Sequence, residues 1–409
     1  MIGICPLENP IRDYAWGSRI AIAELLGQPT PSARPQAEIW MGAHPNDPSR
    51  AQCRGGWTPL SDLLREDPEG FLGEPVAARF NGELPFLFKV LAAAQPLSIQ
   101  AHPDREQARE GFERENAAGI ALGAQERNYL DPHPKPELIC ALSPFSALCG
   151  FRPIPEIARA FRESQIDVFA TEIESLEREG DAEALERFFA AVCNAAADRI
   201  GRAIDQAVMN AERRSEDPAA RWLTAIAALY PGDAGVLAPL FLNLVTLAPG
   251  EGMYLGAGEL HSYLEGTGIE IMANSDNVLR GGLTAKRIDV PELCRVLRFE
   301  SREAEILLPR EVSTGERIFK TPADEFELAV LTIEEDQPWR SARSRGVEIL
   351  LATEGEMTIT DPGVGESFAL PRGSSVFIPN SVDCYEITGA GVVYRAGMPT
   401  SSRGGHGAH

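Results

Sequence analysis

The chain reads as a mainly β protein with an α-helical insertion, built as tandem antiparallel β-sandwiches, and three observations predict this. Short apolar and β-branched runs punctuated by Gly and Pro have the length and boundaries of strands, as in Glu83-Leu-Pro-Phe-Leu-Phe-Lys-Val-Leu91, Met253-Tyr-Leu255 and Val347-Glu-Ile-Leu-Leu351. From Pro155 to about Pro231 the text turns rich in Ala, Glu, Arg and Leu, with apolar residues at helical spacing: Ile157, Ala160 and Phe161, then Leu185, Phe188, Phe189 and Val192. Third, Pro371-Arg-Gly-Ser-Ser-Val-Phe-Ile-Pro379 echoes Pro249-Gly-Glu-Gly-Met-Tyr-Leu-Gly256 in its Gly turn, spacer and three apolar residues. Sliding one onto the other sets Gly373 against Gly250 and Cys384 against His261, so the later copy has no histidine for a metal.

Taken in order, residues 1–153 form the first part of one β domain and 154–232 a helical domain inserted into it. Residues 233–313 complete the β domain, 314–399 make a C-terminal β-sandwich, and 400–409 a Gly- and Ser-rich tail expected to be disordered. Polar motifs lie on both sides of the helical block, which makes it an insertion rather than a boundary. At 409 residues and 44% hydrophobic content the chain can bury a large core.

A net charge of −22 repels polyanions and argues against nucleic acid and anionic membrane as partners. A local cluster of Lys and Arg can still hold a small anion, because the distant acids are screened over roughly 8 Å. No run of about 18 apolar residues occurs and the first residues lack a basic start, so the expected address is the cytoplasm. Seven scattered cysteines with no C-x-x-C pair are expected to be free thiols.

Only four lysines occur, and Lys89, Lys135 and Lys286 lie in or beside polar motifs where a compact ammonium is wanted. In Leu97-Ser-Ile-Gln-Ala-His102, alternation puts Ser98, Gln100 and His102 on one face of a strand. Glu137 follows Lys135-Pro136 and opens an apolar run; His261 stands between a Gly-rich turn and a further strand. Singly these are ordinary: a wet strand face, a capping acid, a turn histidine. Together, two imidazoles, a carboxylate and an amide oxygen make a first shell for Zn²⁺ with a position left for water or substrate. One carboxylate leaves the ion roughly a single positive charge, enough to hold an oxyanion. Arg280, Lys135 and Lys286 can add donors for a phosphate, and Glu270 and Asp276 are candidate acid–base carboxylates, or else partners that position Arg280. No nucleophile elbow, phosphate loop or His-Glu-x-x-His occurs.

With Asp13-Tyr-Ala-Trp16-Gly-Ser18, Ala37-Glu38-Ile-Trp-Met-Gly-Ala-His-Pro45, Leu84-Pro-Phe-Leu-Phe-Lys89 and Asn274-Ser-Asp-Asn-Val-Leu-Arg-Gly-Gly-Leu-Thr-Ala-Lys286 in the same order, the chain resembles the type I phosphomannose isomerases, zinc enzymes of the cupin superfamily. The resemblance implies one zinc per chain held by Gln100, His102, Glu137 and His261. It implies a cleft formed by Trp16, Glu38, Lys89, Ser98, Lys135, Tyr263, Glu270, Asp276, Arg280 and Lys286, with the arginine catalytic. One position departs: the family reads His-Lys-Pro-Glu, whereas Pro134 precedes Lys135 here and the histidine is His133. The implied reaction interconverts mannose 6-phosphate and fructose 6-phosphate through a cis-enediol, as a step of mannose metabolism, in a monomer whose partner is the phosphorylated hexose. Glu270, Asp276, Lys135 and a water on the metal remain open as the group that moves the proton. A non-catalytic sugar- or metal-binding cupin and an iron oxygenase are the competing readings.

Overall fold

The computed structural model describes residues 3–53, 55–343 and 345–399, so the tail assigned to 400–409 lies outside the described residues. Two large sheets of antiparallel strands carry the fold. No helix among the described residues is long and apolar enough to cross a membrane.

The spine of the first sheet is the 13-residue strand His261–Ala273. Its first stretch pairs with Phe145–Phe151 and, through His261, with Ile99–Ala101; its second pairs with Phe86–Ala93 and Glu137–Ala141. The change of partners falls at Gly266, whose φ of 133° and contact with Phe145 exclude a side chain: a Cβ there would meet Phe145 at 2.7 Å. One long strand thus places residues from five segments on one surface.

Five helices, Ile154–Glu163, Ala170–Glu179, Ala182–Cys193, Ala197–Ala211 and Pro218–Leu229, follow the helical spacing of the sequence. Asp181 caps the third by accepting from Ala184 N–H, and Asp217 caps the last ahead of Pro218. Ile157, Phe161, Leu185, Phe188, Phe189 and Val192 are buried in one core with Ile99, Ala101 and Leu279 of the sheet. The helices therefore back the Ile99–Ala101 strand, leaving Gln100 for the other face. Truncating Phe188 to Ala there would cost about 3–5 kcal/mol.

The second sheet runs, in spatial order, through Arg310–Ser313, Glu316–Phe319, Glu327–Ile333, Glu386–Gly397, Glu348–Asp361 and Ser375–Ile378. Two sequence-based expectations change here. Strands Cys5–Glu8, Arg50–Cys53 and Gly56–Pro59, placed by sequence in the first β domain, extend this later sheet, because Cys5–Glu8 pairs with Ser375–Ile378. Nor are all cysteines free: Cys5 and Cys53 form a disulfide, while Cys140, Cys149, Cys193, Cys294 and Cys384 are thiols. The register that sets Leu7 against Ala51 brings Cys5 opposite Cys53, a neighbourhood that spacing along the chain does not reveal.

Candidate metal centre

Each of three ligand-type side chains sits at the end of a strand. His102 follows Ile99–Ala101 and is fixed from behind, since Asp104 at once starts the helix Arg105–Ala117 with a capping box through Gln107. Glu137 opens Glu137–Ala141, and His261 opens the spine strand. A backbone bond from Gly258 N–H to the His102 carbonyl, 2.8 Å, ties the two histidine segments together.

The three side chains are buried, and their ligand atoms lie within 4.8 Å of one another. His102 Nε2 is 3.4 Å from Glu137 Oε1, and His261 Nε2 is 3.4 Å from Glu137 Oε2. On the far side of each ring Nδ1 faces a backbone carbonyl, Asn277 O at 2.7 Å and Glu259 O at 2.9 Å. A carbonyl only accepts, so Nδ1 carries the hydrogen and Nε2 presents a lone pair. His102 Nε2, His261 Nε2 and Glu137 Oε2 are all buried without a hydrogen-bond partner. Three buried acceptors facing one another repel, and a cation between them relieves all three.

The electrostatics agree. Burial takes the His102 pKa down to about 4 against the pull of Glu137, so the ring is neutral near pH 7. Burial pushes the Glu137 carboxyl up, but the pull of neighbouring positive charge, Lys135 at 3.2 Å first, holds the group well below its ordinary value. Gln100 lies opposite both His261 and Arg280 in the antiparallel ladder, so the three side chains share a face.

Beside this cluster, Lys89 donates to Glu270 Oε2 at 2.9 Å and lies 3.6 Å from Glu38; Tyr263 Oη donates to Glu270 Oε1 at 2.9 Å. Burial lowers the lysine pKa, but Glu270, Glu38 and Glu137 together overcome it and raise it, so Lys89 is a charged strut inside the wall. Burial raises the Glu270 carboxyl, with Lys89 opposing. Asp276 accepts from His44 Nε2 at 3.3 Å and Asn46 Nδ2 at 3.0 Å, and the His44 bond keeps its pKa below the usual value. Neither carboxylate pairs with Arg280.

Among the described residues Arg280 and Lys286 have no carboxylate partner for their side chains, and both line a cavity of about 420 Å³ with Asn128 and Leu130. The lysine's pKa is lowered chiefly by Arg280, which places two uncompensated cations side by side in a chain of net charge −22. Trp16 packs half-buried against a cluster containing Tyr263 and Leu97, and Ser98 is half-buried next to it in sequence. His133 is exposed and opens onto a different cavity with Arg105 and Glu325. Sequence reasoning passed over His44, Trp40, Asp131 and Asn277. Trp40 Nε1 donates to Glu38 at 2.8 Å, and Asn277 receives His102; three of the four lay inside quoted motifs, but only tertiary contact gave them partners.

Residues 4–154 match the model for the phosphomannose isomerase type I catalytic domain. The mannose-6-phosphate isomerase of Escherichia coli K12 is 42% identical over 393 residues, covering 95% of this chain and 98% of that protein. The human mannose-6-phosphate isomerase is 34% identical, covering 92% and 93%. The crystal structure of mannose 6-phosphate isomerase from Salmonella typhimurium bound to substrate (F6P) and zinc superposes with a TM-score of 0.89 at 38% identity, over 97% of this chain and 100% of that one. The chain belongs to the mannose-6-phosphate isomerases of type I.

Proposed function

We propose that the chain interconverts mannose 6-phosphate and fructose 6-phosphate with one zinc held by Gln100, His102, Glu137 and His261. The observation that carries this is the meeting of three buried, unpartnered acceptor atoms on the strand ladder where Gln100 lies opposite both His261 and Arg280, with Lys286 close to that arginine. When bound, zinc supplies positive charge where the cis-enediol develops negative charge on O1 and O2.

The remaining work falls to side chains. Arg280 and Lys286 hold the phosphate and the developing charge, for which a planar fork and a compact ammonium are suited. Lys135, next to Glu137, adds a buried donor at the metal end of the cleft. Trp16 packs against the cluster that holds Tyr263, Ser98 is assigned to the substrate beside Gln100, and Lys89, shared between Glu38 and Glu270, fixes Glu270. Proton transfer between C2 and C1 is assigned to the carboxylates of the cleft. Asp276, with 39% of its side chain exposed, is the reachable one, whereas Glu270 is buried behind Tyr263 and Lys89.

All these residues come from one chain, so the reading requires no second copy, and light scattering is expected to give a monomer. The cytoplasm is the proposed compartment, supported by five free thiols, with the Cys5–Cys53 bridge as the feature that argues the other way. Incubation of the zinc-loaded protein with mannose 6-phosphate in D₂O is expected to place deuterium at C2 or C1. Zinc uptake and sugar binding without any label would leave only a binding protein.

A further inference from the structure

The buried carboxamide of Asn277 is where two loops of the site are joined. Its Oδ1 accepts from the backbone N–H of Leu130 at 2.8 Å and of Asp131 at 3.3 Å. Its Nδ2 donates to the carbonyls of Asp131 at 2.7 Å and His133 at 2.9 Å. Asp131 clasps back, its carboxylate accepting from Ser275 Oγ and Asp276 N, each at 2.8 Å. The carbonyl of Asn277 itself receives His102 Nδ1–H at 2.7 Å. One residue therefore touches the loop that leads into Lys135 and Glu137, the turn that carries Asp276, and the ring of a metal-ligand candidate.

We propose that Asn277 is a positioning residue. It holds the 130–133 loop at a set distance from the 275–277 turn and keeps His102 in the tautomer whose lone pair is on Nε2. The inference rests on the reading of this site as the metal centre of an isomerase. Replacing Asn277 with Ala takes their side-chain partner from two N–H groups and the Asp131 carbonyl, leaves the His133 carbonyl only Ser275 Oγ, and lets water compete for the loop. Movement of the loop shifts Glu137 relative to His102, and the accepting carbonyl moves with the turn. Asn277→Asp keeps the shape but turns a carboxylate oxygen toward two carbonyls, with the same consequence.

The test uses the full chain loaded with zinc, and separately with cobalt(II) as a spectroscopic probe. For Asn277→Ala, zinc affinity measured against a chromophoric chelator is expected to fall about 10- to 100-fold. The cobalt d–d bands are expected to shift, and kcat to fall while KM stays within about threefold. Asn210→Ala is the control for a merely structural loss: it removes a buried carboxamide bonded to Ser164 O and Gln206 O in the helical block. It should lower Tm and leave zinc affinity and the cobalt spectrum unchanged. If Asn277→Ala does not fold, Asp131→Ala releases the same clasp from the other side and carries the same expectation. Wild-type zinc affinity and spectrum in the Asn277 or Asp131 variant, with any loss of rate following Tm alone, overturn the inference. An unaltered chain that takes up no zinc overturns the metal reading and this inference with it.

Discussion

Glu137 and Glu348 occupy the same place in the two sheets and are neutralised in different ways. Glu137 pairs with Leu255 and Met272, Glu348 with Ile378 and Gly397. The offset that sets Gly250 on Gly373 also sets the strand Gly252–Leu255 on Ser375–Ile378. Around Glu137 stand two imidazoles whose inner nitrogens have no partner. Around Glu348 stand Arg345 at 3.3 Å, Arg395 at 3.6 Å and Tyr385 Oη at 2.9 Å, and Arg395 also reaches Glu316 at 2.8 Å. A buried carboxylate must be compensated. The second sheet does so with resident guanidinium groups; in the first, Lys135 at 3.2 Å is the resident cation, and the two unpartnered imidazole nitrogens are the further donors that the proposed reading gives to a metal.

Substitutions at the two glutamates should separate these outcomes most widely. Glu137→Gln is expected to lose zinc by elemental analysis and to lower kcat/KM by more than about 10³-fold. Full metal content in that variant would remove Glu137 from the metal shell. Glu348→Gln, which leaves two buried arginines short of a carboxylate, is expected to cost about 3–5 kcal/mol in denaturant unfolding while zinc content and kcat stay as in the parent. Loss of zinc there would mean that the two sheets are not independent in function.

A smaller effect sharpens the comparison within the first sheet. Arg280→Ala is expected to keep zinc and lower kcat by roughly 10²-fold, since the guanidinium acts on charge that develops in the reaction. Unchanged kcat in steady-state assays would make it a structural residue.

The smallest effect concerns protons. His102 titrates near 4 in the folded, metal-free chain and near 6.5 when unfolded, so between these values the unfolded chain binds the extra proton. Metal-free stability should therefore be constant above about pH 6.5 and fall as pH drops toward 4, by at most ~3 kcal/mol from this group. Glu137, held below its ordinary value, adds a loss of the same sign at still lower pH. Chemical denaturation of the metal-free chain and of His102→Asn at pH 7 and pH 5 checks this; equal slopes in the two would refute the assignment to His102.

The legible parts of the molecule are those in which neighbours along the chain are neighbours in space. The stripe Ile157, Phe161, Leu185 and Phe188 identified helices because period 3.6 is a local property, and the alternation around Gln100 placed polar side chains on one face for the same reason. Glu137 and His261 could be proposed as partners because their side-chain types suit one ion, even across 124 positions.

By itself, then, the sequence determined the strand and helix classes, the donors available to a metal and the uneven placing of its four lysines. Only the tertiary structure decided which groups met: Cys5 with Cys53, the first strand with the last sheet, Lys89 with Glu270 and Asp276 with His44. The reason is physical. Local periodicity is written in consecutive dihedrals, whereas the partner of a buried charge or thiol depends on which distant strands pack together, and that is settled by the whole core at once.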